Sequence, residues 1–256
     1  MRPSQKKSKN QNSQPTSRHR QVVGLHSVME VFKVRPHAVE KVFLKANWKE
    51  SKELLQIAEL AQRQGVRVEN IQEGVLEKLS RVHQGVLVEV SETPTLDLHK
   101  LKDQKKSMVL ALDGIEDPHN MGAIIRTAWL MGVSGILVPE SRIAPLSPTV
   151  AKVASGGLEH VPVQKVGSLG PTLLQMKEMG FWILGLDAEA KSNIWQLKAP
   201  DKVVWVLGAE GHGIRKQTKG ACDELLRLYQ VSPNHSLNVS VAAGIATAEI
   251  IRQWKT

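Results

Sequence analysis

Apolar positions in the first third of the chain recur at helical spacing in some stretches and at strand spacing in others. Val22-Val23-Gly24 leads into a helical stretch over 26–34, and 39–44 reads as a strand. Over 51–64, Leu54, Leu55, Ile57, Ala58 and Ala61 fall on one helical face, and Gly65 stops the run. A short strand at 66–68, a short helix at 73–79 and an alternating strand at 85–90 complete a small α/β unit over 21–90. Residues 91–107 are polar, with Pro94 and four lysines, and predict a linker. From 108 to 256 the pattern changes. Strands are predicted at 108–113, 135–138, 160–163, 181–187, 203–207 and 224–228, and helices at 120–131, 148–154, 169–179 and 238–254. Strand and helix in alternation predict a parallel, doubly wound sheet. In such sheets ligands sit beyond the carboxyl ends of the strands, so the loops at 114–120, 208–213 and 229–238 are the candidate chemistry.

Each loop carries unusual residues. The first runs Asp113-Gly-Ile-Glu-Asp-Pro-His-Asn120-Met-Gly and continues into a helix with Arg126. Asn120 is placed to cap that helix, and Arg126 suits a surface ion pair or a ligand contact. The second, Leu207-Gly208-Ala-Glu210-Gly211-His-Gly213, has the glycine content that lets backbone approach a ligand, but not the GxGxxG order of a dinucleotide loop. Glu210 is suited to a cation, a ribose hydroxyl or an arginine. The third, from Leu228 to Ser240, feeds a helix of small residues; Asn238 is again a candidate cap. His235-Ser236 has neither a GxSxG elbow nor a third partner, which argues against a serine hydrolase.

Composition narrows the class. The chain is 41% hydrophobic and 23% charged, as expected of a folded protein. No apolar run approaches the ~18 residues of a membrane span, and the polar, basic start is unlike a secretory signal. These features predict a soluble, cytoplasmic protein. With Cys222 alone, no disulfide forms within one chain, and the nine histidines lack HxxxH spacing, so no metal site is expected. The formal charge is +9, of which six positive charges fall in residues 1–20, where there is no acid. That segment, almost without apolar side chains, is expected to be disordered and to favour polyanions through counterion release.

Taken together, Asn120-Met-Gly-Ala-Ile-Ile-Arg126-Thr-Ala, Leu207-Gly-Ala-Glu210-Gly-His-Gly213 and Ser236-Leu237-Asn238-Val-Ser-Val-Ala resemble the three ordered motifs of the SpoU/TrmH family within the SPOUT superfamily. Gly24-Leu-His-Ser-Val28 and His83-Gln-Gly85 resemble marks of that family's RNA substrate-binding domain. The layout is most similar to bacterial 23S rRNA guanosine 2'-O-methyltransferases. The resemblance implies transfer of a methyl group from S-adenosylmethionine to an RNA ribose 2'-hydroxyl, a deep trefoil knot near the C-terminus, and a homodimer with its active sites near the subunit interface. It implies catalytic roles for Arg126, Asn120, Glu210, Ser236 and Asn238, and a cofactor site on Leu207, Gly208, Gly211, Leu228, Gln230 and Leu237. The family usually reads Ile-Pro-Met before the third motif; here Leu228-Tyr229-Gln230 replaces a rigid proline with a bulky tyrosine. Main-chain contacts to the adenine do not need those side chains, but the proline's rigidity is lost. Methylation of tRNA, or binding of RNA without catalysis, are the alternative activities.

Overall fold

The computed structural model describes residues 19–79, 83–91, 93–232 and 235–255. The front unit comprises β1 (Arg20–Val23), α1 (Leu25–Val34), β2 (Val39–Lys45), α2 (Lys52–Arg63), β3 (Arg67–Ile71), α3 (Glu73–Leu79) and β4 (Val86–Val90). Its sheet has the order β1-β4-β2-β3, with only the β2–β3 pair parallel. Ser51 caps α2 by accepting a hydrogen bond from the Leu54 amide, and Leu54, Ile57 and Ala61 are the residues that α2 buries. They pack on Val42, Leu44, Val86 and Val88 from the sheet.

The second unit comprises β5 (Ser107–Asp113), α5 (Pro118–Leu130), β6 (Gly135–Pro139), α6 (Pro148–Ala154), β7 (Val163–Val166), α7 (Leu169–Glu178), β8 (Trp182–Leu186), β9 (Ser192–Asn193), β10 (Lys202–Gly208), α8 (Lys216–Lys219), β11 (Glu224–Arg227) and α9 (Val239–Lys255). Its seven strands are all parallel, in the order β7-β6-β5-β10-β8-β11-β9. Every residue of β5 is buried, as a central strand covered on both faces requires. Helices α5, α6 and α9 pack over one face of this sheet and α7 over the other.

Four expectations from sequence are revised. Arg20 to Val23 form β1, paired antiparallel to β4, rather than a lead-in to a helix; residues 1–18 of the predicted disordered tail lie outside the described residues. The predicted linker contains α4 (Leu98–Asp103), capped by Asp97, with Leu101 buried against the second sheet. The strand predicted at 160–163 begins at Val163 instead. A single 3₁₀ turn occupies Gly157–Glu159, and the His160 ring stacks on Trp129 with centroids 4.3 Å apart. Asn120 does not cap α5. Pro118 starts the helix, and Asp117 caps it by accepting from the His119 amide at 2.9 Å, which leaves Asn120 one turn in with its amide free for other partners.

The two units are tied together by buried polar contacts. Arg20 donates to Glu159 at 2.5 Å, and Arg35 lies 3.6 Å from the other oxygen of Glu159, whose side chain is 1% exposed. Glu30 bonds His160 at 2.8 Å, and that hydrogen bond holds the Glu30 carboxyl below its ordinary range. Replacing Glu159 with alanine removes the carboxylate from two buried guanidinium groups. The expected loss is about 3–5 kcal/mol of unfolding free energy, read by urea titration. A loss under about 1 kcal/mol would show that the cluster is not a structural tie.

Candidate active site

Asp113, at the carboxyl end of β5, is 1% exposed. Its Oδ2 accepts the Arg215 amide at 2.9 Å, and its Oδ1 accepts Arg215 Nε at 2.6 Å. Its backbone carbonyl accepts the Ala209 amide at 3.1 Å. One residue therefore grips both ends of the loop after β10. Within the loop, the Gly213 amide donates to the Ala209 carbonyl at 2.9 Å, while Gly211 and Gly213 take φ of 81° and 62°. At Gly208 an added Cβ would stand 2.1 Å from the Gly213 carbonyl carbon and 2.3 Å from the Ile214 nitrogen. The loop closes on itself only because that position has no side chain.

The three predicted loops meet in one polar network. Glu210 Oε1 accepts from Asn120 Nδ2 and from Asn238 Nδ2, each at 3.0 Å. Asn238 Nδ2 also donates to Asn120 Oδ1 at 2.8 Å. Asn238 keeps the capping role as well, because its Oδ1 accepts the Ser240 amide at 2.9 Å. Residues 120, 210 and 238, far apart in sequence, are thereby locked at one point. Each hydrogen bond to the ionised carboxylate is of the stronger, charge-assisted kind.

Two clefts flank this network. The first, of ~360 Å³, is lined by Leu207, Gly208, Gly211, Leu228, Gln230 and Leu237, the residues picked out from sequence, together with Glu210 and Ser236. Its size suits a small ligand. Sequence reasoning missed Asp187 and Lys219 on its wall. Asp187 follows β8, and the strand-end rule that selected the other loops would have found it. Burial pushes the Asp187 carboxyl up, but hydrogen bonds from Lys219 and from the Glu189 amide outweigh that and leave it lowered. Lys219 is raised in turn by its bond to Asp187. Tyr229, the departure from Ile-Pro-Met, is 67% exposed and does not line the cleft, whereas Leu228 and Gln230 do. The second cleft, of ~460 Å³, runs from the loop after β5 to the same 209–213 segment, which separates the two.

Arg126 stands apart. It is exposed on α5, donates to Ser155 Oγ at 3.3 Å and lines neither cleft. No group of three or more His, Cys, Asp or Glu is placed to hold a metal ion among the described residues. Among the same residues no helix is long and apolar enough to cross a membrane.

Residues 107–248, the unit that carries all three loops, match the SpoU rRNA Methylase family. The chain belongs to that family. Residues 21–96 match the RNA 2'-O ribose methyltransferase substrate-binding domain. The 23S rRNA (guanosine-2'-O-)-methyltransferase RlmB of Salmonella typhimurium is 37% identical over 240 residues, covering 91% of this chain and 98% of that protein. RlmB of Escherichia coli is 36% identical over 238 residues, covering 91% and 98%. The SpoU methyltransferase AviRb of Streptomyces viridochromogenes, solved in complex with the cofactor AdoMet, superposes with a TM-score of 0.80 at 21% identity, over 96% of this chain and 94% of that one. The SpoU family uses S-adenosylmethionine. The first cleft fits such a molecule: Leu186, Leu207, Leu237 and Ala242 offer apolar surface for an adenine, while Asp187 and Glu189 offer carboxylates for hydroxyl or ammonium groups.

Proposed function

We propose that this chain transfers a methyl group from S-adenosylmethionine to the ribose 2'-hydroxyl of a guanosine in large-subunit rRNA, as a cytoplasmic homodimer. The observation that carries the reading is the Asn120–Glu210–Asn238 network, because it joins all three motif loops at the wall shared by the two clefts. Main chain and side chains of Leu207, Gly208, Gly211, Leu228, Gln230 and Leu237 hold the cofactor in the first cleft. A deep knot that gathers these loops is part of the proposal; the convergence of the segments after β8, β10 and β11 on one cleft supports it.

When bound, S-adenosylmethionine supplies a methyl group already activated by its sulfonium. The chain's own task is to align the 2'-oxygen and to favour loss of its proton. Glu210, held by two amides, fixes the loops on either side of the reacting centre. Ser236 and Asn238 position the nucleotide. Arg126 acts as a cation on the neighbouring phosphate and the developing alkoxide. The proton leaves to phosphate or water. Because Arg126 lines neither cleft of its own subunit, it serves the partner's. Leu130 and Val241, 65% and 50% exposed on the neighbouring helices α5 and α9, supply apolar surface for that interface. The front unit and the basic residues 1–20 add affinity for RNA through phosphate contacts.

The test is incubation with methyl-labelled S-adenosylmethionine and 23S rRNA transcribed in vitro. A 2'-O-methyl group blocks alkaline cleavage, so label is expected in an alkali-resistant dinucleotide that begins with guanosine. Label in a base, in transcribed tRNA alone, or nowhere contradicts the proposal.

A further inference from the structure

The second cleft is lined by more charged groups than the methyl-transfer network uses. Most of them are committed within the protein. Asp113 binds Arg215, Asp117 caps α5, and Asn120 and Glu210 bond each other. Arg142, Glu116 and His212 remain, all exposed and all without a hydrogen bond or ion pair among the described residues. Arg142 is also one of three non-glycine residues with positive φ among the described residues, at 58°. An arginine gains nothing from that conformation, which glycine adopts freely, and a backbone outlier at the rim of a cleft points to a use for its side chain. The segment between β6 and α6 holds it over a cleft whose far wall, the 209–213 loop, is also a wall of the first cleft.

We infer that the second cleft receives the acceptor nucleotide and that Arg142 binds its backbone phosphate. This rests on the reading of the first cleft as the cofactor site. A guanidinium fork suits two phosphate oxygens at once, and an exposed cation without a partner here loses little on giving up water for an anion. Glu116, the one uncommitted carboxylate in the cleft, accepts hydrogen bonds from the N–H edge of the base, an edge that guanine presents with two adjacent donors. The phosphate thus fixes the ribose at the shared wall. Arg142 is a positioning residue, since it touches the substrate away from the atoms that react.

The experiment compares wild type with Arg142→Gly and Arg142→Lys. Glycine relieves the backbone at this position, so a purely structural role predicts equal or better behaviour. The phosphate contact predicts the reverse. For Arg142→Gly, KM for transcribed 23S rRNA rises about tenfold or more, and thermal stability and S-adenosylmethionine affinity are unchanged. The slope of log affinity against log salt falls by about one phosphate contact. Arg142→Lys, which keeps the charge but not the fork, recovers part of the loss. An unchanged KM and salt slope in Arg142→Gly overturns the inference. If wild type fails to methylate the transcript, filter binding of the same RNA decides the question through the salt slope alone. The proposed reaction would then fall while the phosphate contact is judged separately.

Discussion

Arg126→Ala is expected to lower methyl transfer by about 10²–10³-fold while S-adenosylmethionine affinity stays within about twofold of wild type. The magnitude is that of removing one preorganised charge from a site of developing negative charge. Unchanged cofactor affinity follows from position: Arg126 is exposed on α5, bonds Ser155 alone among the described residues, and lines neither cleft. Arg126→Lys keeps the cation but loses the planar fork and recovers only part of the rate. Mixing Arg126→Ala with a subunit that carries a damaged cofactor cleft restores activity in mixed dimers if the arginine works across the interface. Single-turnover methylation with calorimetry on the same preparation checks both halves. Full activity in Arg126→Ala removes this residue from the mechanism.

Gly208→Ala acts through the backbone. Its methyl group would overlap the Gly213 carbonyl carbon at 2.1 Å, and peptide backbone cannot rotate aside as a side chain can. The 209–213 turn must open, which strains the Arg215 anchorage on Asp113 and shifts Glu210 away from its two amide partners. The expected cost is about 1–3 kcal/mol of stability from overpacking, with at least a tenfold loss of cofactor affinity. Gly211→Ala gives a useful contrast. Its φ of 81° disfavours alanine, but an added Cβ meets no atom within 4 Å, so the effect is conformational alone and smaller. Denaturant titration and calorimetry of the two variants test the order. A Gly208→Ala protein as stable and as tight as Gly211→Ala would refute the packing argument.

The parts of this fold that sequence made legible are those fixed by local chemistry. The spacing of Leu54, Ile57 and Ala61 gives α2, and the unbroken apolar run of β5 gives a central parallel strand. The second cleft wall was legible for a similar reason, since three glycines after a strand imply close backbone approach. What stayed hidden depends on contacts between distant residues. Nothing near Val22 says that it pairs with Val88, and nothing near Leu101 says that the second sheet will bury it. Asp113 reads as the last residue of a strand until Arg215, 102 positions later, closes on it. Asn120 looks like a cap because the local signals at Asp117-Pro118 and at Asn120 compete; proline at the first helical position decides for Asp117. Tyr229 stands where the family usually has proline; it is exposed, and its neighbours Leu228 and Gln230 line the cleft.

The most direct measurement is a calorimetric titration of the purified protein with S-adenosylmethionine. Everything proposed for the 2'-hydroxyl, for Arg126 and for the second cleft presumes that the first cleft holds this molecule. Binding in the micromolar range, roughly −8 kcal/mol, with one site per subunit and loss of affinity in Gly208→Ala, is the predicted result. A folded protein that shows no heat of binding and no protection by S-adenosylmethionine in thermal unfolding would contradict the account and point to an RNA-binding protein that does not transfer methyl groups.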